Sequence, residues 1–222
     1  MTNRWIWRRL NSWGYGVQSP NDFYFVQHVL REELPYYAYP ALEELSPSGD
    51  ESLPCHSSSA YRLLFRLANY AHPATIVEVG AGASIAAMAM ACPTAQCVAI
   101  TGGQAQGDAL QQQFAKHPQI GVKNGDEMEI FRQLLREQKR IEMLHIASTD
   151  YYRETVEAAL PYVNNRTLII ISGIQESREK QAWWEELKES PLTGVSYDLG
   201  NMGLLFFDKA RYKVSYWITL KD

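Results

Sequence analysis

The stretch Ala74-Thr-Ile-Val-Glu-Val-Gly-Ala-Gly-Ala-Ser84, followed by the run Ile85 to Ala91, decides how this chain is read. Thr75 to Val79 is β-branched and apolar, as a strand buried in a parallel sheet should be. Gly80-Ala-Gly82-Ala-Ser84 then breaks it, at a point where the backbone must turn tightly and approach another group closely. The segment Ile-Ala-Ala-Met-Ala-Met-Ala after it is helix-forming and built largely of small side chains. Strand, glycine turn and helix N-terminus aim free N–H groups and the positive end of a helix dipole at one place, which suits a nucleotide-type ligand. A purely structural turn at a strand–helix junction asks for similar glycines. The spacing Glu78-x-Gly80-x-Gly82-x-Ser84 is not the dinucleotide pattern G-x-G-x-x-G, and no acid ends the next strand. A nicotinamide-dependent oxidoreductase is therefore disfavoured.

Working outward, the chain alternates strand and helix from residue 57 onward. Ser57-Ser-Ser59 caps a helix over Ala60 to Ala71, with Leu63, Leu64, Leu67 and Ala71 at helical spacing. After the opening unit come a strand Gln96 to Thr101, a helix from about Ala105 to Lys116 and a short strand near Ile120 to Lys123. Asn124-Gly-Asp126 leads into a helix Met128 to Gln138, then a strand Ile141 to Ile146 and a helix Tyr151 to Tyr162. Thr167 to Ser172 is apolar between its end hydroxyls and reads as a central strand. A helix Arg178 to Glu189 follows, and Gly194 to Leu199 with Met202 to Phe207 read as an antiparallel pair about the turn Gly200-Asn201. Ser215 to Thr219 is a candidate edge strand. The pattern predicts an α/β fold, a doubly wound, mostly parallel sheet of about seven strands with a C-terminal antiparallel hairpin. Its ligands should bind beyond the carboxyl ends of the strands, around Gly80 to Ser84, Thr101 to Gly103, Asp126, Ala147 to Asp150 and Ser172 to Gln175.

Residues 1–56 read as a helical appendage to a domain spanning 57–222. Trp5, Trp7 and Trp13 alternate with Arg4, Arg8 and Arg9, a pattern compatible with a membrane surface or nucleic acid. Packing of these aromatics onto the main domain or a second subunit, giving a homodimer, is preferred for so short a segment in an acidic chain. Phe23 to Leu34 predicts a helix with Phe23, Val26, Val29 and Leu30 on one face and Asn21 or Asp22 as its cap. The tyrosine-rich Pro35 to Pro40 and the segment Ser46 to Pro54 predict a boundary loop.

Composition bounds the rest. The chain has 222 residues, 46% of them hydrophobic and 21% charged, with a net charge of −4. These are ordinary values for a globular protein, and the acidity argues against a nucleic-acid partner. Cys55, Cys92 and Cys97 cannot all pair and lack metal-ligand spacing, so reduced thiols in the cytoplasm are expected. No apolar run reaches the length of a membrane span, and the N-terminus lacks a signal-peptide core.

From Tyr61 to Ile218 the order of parts resembles class I S-adenosylmethionine-dependent methyltransferases of the small O-methyltransferase-like branch. The resemblance rests on the glycine turn, on His145-Ile146 followed by Tyr152, and on Leu168 to Ser172 with Ile174 after it. Trp183, Val195-Ser-Tyr-Asp-Leu199 and Gly203-Leu-Leu-Phe-Phe207 complete it. It implies a Rossmann-like methyltransferase fold that binds S-adenosylmethionine through Glu78, Gly80, Ala81, Gly82 and Ser84, with Thr101 and Gly102 near the ribose and Asp126 near the adenine.

Three family features are missing. The second strand ends Ala99-Ile-Thr101-Gly-Gly103, without the carboxylate that grips the ribose hydroxyls in the family. Losing one or two charge-assisted hydrogen bonds of roughly 1.5–3 kcal/mol each weakens binding by about tenfold to about ten-thousandfold unless another group replaces them. Ala147 and Ser172-Gly173 stand where metal-dependent relatives carry carboxylates, so no metal is expected. Ala147-Ser-Thr-Asp150 replaces the family's Asp-Gly-x-His run; Asp150 is read as a helix cap rather than a base, and Gln175 as a solvated loop residue. His145 is expected to be packed and hydrogen-bonded, and no Gly-x-Ser-x-Gly elbow supports a serine hydrolase. The expected function is metal-independent methyl transfer to a small molecule, since in-line displacement at a sulfonium carbon can run on positioning. The competing expectation is a methyltransferase-fold protein that has lost turnover and binds a ligand or partner.

Overall fold

The computed structural model describes residues 10, 12–45, 57–80 and 82–220. Its core is an eight-stranded sheet in the order β3-β2-β1-β4-β5-β7-β6-β8. The strands are β1 (Thr75–Val79), β2 (Gln96–Thr101), β3 (Ile120–Asn124), β4 (Met143–Ile146), β5 (Leu168–Ser172), β6 (Val195–Asp198), β7 (Met202–Phe206) and β8 (Val214–Trp217). All neighbours pair in parallel except β7, which runs antiparallel between β5 and β6. The eighth strand corrects the expected seven: Val214–Trp217 adds in parallel to β6 and closes that edge. β5 is buried along its whole length, as its Leu-Ile-Ile-Ile run requires of a central strand, whereas β3 alternates buried and open positions at the other edge.

Helices cover both faces. Before the sheet come α1 (Pro20–Phe25), a π-helical turn Val26–Leu30, α2 (Tyr39–Leu45) and α3 (Ser58–Ala71). Within the sheet region follow α4 (Ser84–Ala91), α5 (Gln104–Gln113), α6 (Glu127–Gln138), α7 (Tyr152–Ala159) and α8 (Arg178–Glu189). Ile76, Cys97, Met143, Ile170 and Leu204 point to the layer of α1, α3 and α4. Val77, Val98, Leu144, Ile169 and Leu205 point to the layer of α6, α7 and α8. The small residues of α4 let it sink wholly into the core, where Ala86, Ala87, Met88 and Ala89 are fully buried. Trp184 of α8 is seated over β7 where Gly203 leaves room; a Cβ on Gly203 would lie 2.6 Å from the indole ring.

Local chemistry sets most helix ends. Ser57 caps α3, Asp126 caps α6 and Ser177 caps α8, each accepting an amide hydrogen bond with its side-chain oxygen. The N-terminal helix departs from expectation. Ser19, not Asn21 or Asp22, caps α1, and a π-helical turn follows it. Phe25 is buried with Val26, Val29 and Leu30, while Phe23 is 44% exposed. Asp22 is buried instead, accepting hydrogen bonds from the hydroxyls of Tyr197 (3.0 Å) and Tyr216 (3.2 Å) and pairing with Arg211. Burial raises the Tyr197 and Tyr216 hydroxyls above their usual range, which keeps them donors. This knot and the shared apolar cluster hold residues 20–45 against the sheet. Trp5, Trp7, Arg4, Arg8, Arg9 and Cys55 lie outside the described residues. No described helix is long and apolar enough to cross a membrane.

Candidate functional site

The loops after β1, β2, β3 and β4 converge on one rim because their strands are adjacent and parallel. The Gly125 amide donates to Thr101 O (3.0 Å), the Ala147 amide to Val79 O (3.0 Å) and the Ser148 amide to Gly80 O (3.4 Å). Gly80 has φ +71°, and a Cβ there would lie 2.2 Å from the Ser148 carbonyl oxygen. The crossing of two backbones, together with a left-handed conformation, makes glycine obligatory at this position.

Glu78 organises the site. Its side chain is fully buried and faces the layer of α3 and α4. Oε1 accepts the Gly82 amide at 3.0 Å, and Oε2 accepts the Ser84 hydroxyl at 2.8 Å. Oε2 also meets His145 Nδ1 at 2.7 Å. An ionised carboxylate only accepts, so the hydrogen between them sits on Nδ1. In the neutral ring Nε2 is then the acceptor, taking the Ser172 hydroxyl at 2.9 Å. The register explains the alignment: Glu78 lies opposite His145, His145 lies opposite Ile170, and Ser172 is two residues further along the same face. Glu78, His145 and Ser172 thus form one buried line across three neighbouring strands. Unpaired, such groups would cost several kcal/mol in an apolar layer; here every charged or ring atom has a partner.

Ser172 closes this line at a cavity of about 100 Å³ between the start of α3 and the β6–β7 turn. Ser57, Ser59 and Asn201 give it a polar side, Leu63, Leu199 and Met202 an apolar one, and among the described residues no charged side chain lines it. Ser59 is exposed, so the cavity opens to solvent there. Serine-hydrolase chemistry finds no support in the line, because the amides after the serine, Gly173 and Ile174, both donate to Asn201 O, at 2.7 and 3.2 Å. Neither amide is left to form an oxyanion hole beside Ser172. A roomier cavity of about 630 Å³, walled by Pro161, Asn164, Phe207 and Lys209, lies at the opposite end of β5 and touches none of the residues expected to act.

The structure places the other expected residues as follows. Gly82 and Ser84 join Glu78, while Ala81 lies outside the described residues. Thr101 is buried and its hydroxyl donates to Gln106 Oε1 at 2.7 Å. Gly102 is exposed, and a Cβ built on it would lie 3.6 Å from Glu127 Oε1. Asp126 is exposed and caps α6 through the Glu129 amide at 2.7 Å. Asp150 does not cap α7, which corrects that expectation: the helix opens at Tyr152 without a side-chain cap. Thr149 turns the chain instead, accepting the Tyr151 amide at 3.1 Å and donating to Glu127 Oε2 at 2.5 Å. Glu127 was not singled out in the sequence, yet its carboxylate lies between the ends of β2 and β4. The position directly after the Gly125-Asp126 turn was the only signal for it.

Ala147 brings no donor to the rim, and the Ser172 hydroxyl is engaged by His145. Among the described residues, no three His, Cys, Asp or Glu side chains gather closely enough to hold a metal ion. Cys92 and Cys97 are buried free thiols, and burial pushes them up to about 11 and about 12.

Strand order, the antiparallel β7 and the glycine turn at β1 together specify one architecture. The fold is that of the class I O-methyltransferases. A methyltransferase of Podospora anserina bound to S-adenosylhomocysteine superposes with a TM-score of 0.62 at 14% identity, covering 81% of this chain and 91% of that one. An O-methyltransferase of Streptomyces achromogenes involved in tomaymycin synthesis, in complex with S-adenosylmethionine, gives 0.61 at 16% identity over 93% of this chain and 99% of that one. An O-methyltransferase of Bacillus cereus bound to S-adenosylhomocysteine gives 0.59 at 14% identity over 91% and 99%. No protein-family model matches the sequence, and no curated protein matches it either.

Proposed function

We propose that the protein is an S-adenosylmethionine-dependent methyltransferase that needs no metal and acts on a small molecule. The observation that carries this reading is Glu78, whose buried carboxylate fixes the glycine turn through Gly82 and the start of α4 through Ser84. A site built this tightly is more than a loop between strand and helix. When bound, S-adenosylmethionine supplies an electrophilic methyl group on a sulfonium. The chain's own residues bind and orient: Gly80 and Gly82 let the backbone approach, and Ala83 adds no side-chain cap to the opening amides of α4. Glu127, beside Gly102, supplies carboxylate oxygens where the end of β2 has none, so it takes the ribose role alongside Thr101. Asp126 stands at the adenine edge. Both the structures with bound S-adenosylhomocysteine and that with S-adenosylmethionine support the cofactor class.

Calorimetric titration with S-adenosylmethionine and S-adenosylhomocysteine tests the reading, with Gly80→Arg as the control. Micromolar binding that this substitution abolishes is expected. Absence of binding at millimolar cofactor would refute it and favour the second reading, a protein of this fold that binds a ligand or partner without turnover. One observation speaks for that second reading: the Thr101 hydroxyl is already spent on Gln106. The division into an appendage of 1–56 and a domain of 57–222, a cytoplasmic address and a homodimer belong to the same proposal. The homodimer is supported by exposed Trp13, Tyr15 and Tyr24 and is tested by light scattering.

A further inference from the structure

We propose that Ser172, His145 and Glu78 form a proton relay, and that the cavity beside Ser172 receives the hydroxyl of a neutral alcohol or phenol acceptor. The inference rests on the methyltransferase reading and assigns the acceptor end of the same site. Glu78 is common to both ends: one side of its carboxylate holds the glycine turn, and the other holds His145. The line then runs outward to Ser172 and stops at the cavity.

Two features favour a functional line over a packing accident. An apolar layer containing Ile76, Met143, Leu168 and Ile170 has no structural need for a carboxylate, an imidazole and a hydroxyl in register. The line is also directional. Its inner end is a carboxylate that can stabilise an imidazolium, and its outer end is a hydroxyl at a solvent-open cavity. The described lining residues carry no charge and so favour a neutral group over a carboxylate or an ammonium, since none of them offers either ion a counter-charge.

The transfer balances. The acceptor's O–H proton passes to Ser172 Oγ as the Ser172 proton passes to His145 Nε2. The acceptor oxygen uses the freed electron pair to form its bond to the methyl carbon as the S–CH₃ bond breaks. A thioether leaves, and the imidazolium is held by Glu78. Positioned proton transfer of this kind contributes roughly 10²–10⁴-fold. Ser172 is the group that touches the acceptor; His145 and Glu78 act through it.

The test uses the full chain with ¹⁵N-labelled histidine and phenol as the probe. His145 is assigned by its loss in His145→Gln. In the wild type, phenol at millimolar concentration should shift the His145 Nε2 resonance saturably, because a hydroxyl in the cavity competes for Ser172. In Ser172→Ala the response should vanish, and in Ser172→Thr, which keeps the hydroxyl and suits a strand, it should return. S-adenosylhomocysteine affinity should stay within about twofold in both variants, since Ser172 does not belong to the cofactor cradle. A resonance that phenol leaves unmoved in the wild type, or moves equally in Ser172→Ala, overturns the relay. Failure of the wild type to bind S-adenosylhomocysteine overturns the methyltransferase reading instead, and the histidine response separates the two failures.

Discussion

Replacing Glu78 by glutamine should cost little and reverse the direction of every hydrogen along the buried line. Glu78 accepts three hydrogen bonds, from the Gly82 amide, the Ser84 hydroxyl and His145 Nδ1. Glutamine keeps the volume and one acceptor for Gly82. Its NH₂ group now faces Ser84 and His145. Ser84 can rotate to accept, and His145 can move its hydrogen to Nε2, so that Nδ1 accepts from glutamine and Nε2 donates to Ser172. No group is left unpaired. The loss is then only charge assistance, about 1 kcal/mol per bond, set against the removal of a buried charge. The predicted net change is about 1–2 kcal/mol. At about 2–4 °C per kcal/mol for a chain of this size, Tm falls by about 2–8 °C. Glu78→Ala offers no such exchange. It strands buried donors beside a new cavity and should cost about 3–5 kcal/mol, or about 6–20 °C. Calorimetry measures the two variants against wild type, and ¹⁵N spectra of labelled histidine report the tautomer. Equal destabilisation by both substitutions, or a glutamine variant whose His145 still carries its hydrogen on Nδ1, would refute the reasoning.

Further expectations follow from the same contacts. Gly80→Ala forces an L-residue into φ +71° and drives its Cβ into Ser148 O, so a loss of about 2–4 kcal/mol is expected; an unchanged denaturant midpoint would contradict it. Glu127→Gln should weaken S-adenosylhomocysteine binding about tenfold or more while leaving Tm nearly unchanged, and equal affinities by calorimetry would remove Glu127 from the ribose site. Asp22→Ala leaves the Arg211 charge and two tyrosine hydroxyls without their shared acceptor and should cost about 3–5 kcal/mol, read as a fall in Tm. In a Cys55→Ser chain, Cys92 and Cys97 should react with a thiol reagent at pH 8 only as fast as the protein unfolds. Their folded pKa values lie above those of the unfolded thiols, so the folded state holds more protons above about pH 8.5. Their contribution to stability is complete below that pH and is lost as pH rises toward 11 and 12, which urea titrations at pH 8 and 10 would detect.

Much of the architecture was legible because local chemistry and the tertiary solution agree. Thr75 to Val79 and Arg178 to Glu189 have the limits expected of them, one set by Gly80 and the other by the Ser177 cap. Phe25 escaped the pattern because Phe23, three before Val26, and Phe25, four before Val29, both fit one helical face, and only the tertiary contacts choose between them. The line of Glu78, His145 and Ser172 had a trace in the sequence. Each is a polar residue inside an otherwise apolar strand, but only the strand order and register bring the three onto one face. Glu127 was hidden for a different reason. An acid that grips a ribose is expected at the end of β2, whereas the carboxylate proposed for that role stands in the first turn of the helix after β3.

The knot around Asp22 bears on how the protein is made. Its partners Tyr197, Arg211 and Tyr216 follow it by 175, 189 and 194 residues. At roughly 5–20 residues per second, the carboxylate waits on the order of 10–40 s on the ribosome before its partners exist. Until then the N-terminal helix can dock only by burying an unpaired charge, so it stays undocked. Docking of the N-terminal helix is thereby tied to the synthesis of residues 197–216. A chain stopped at residue 210 should lose its N-terminal segment rapidly to protease, while one that reaches residue 220 should keep it.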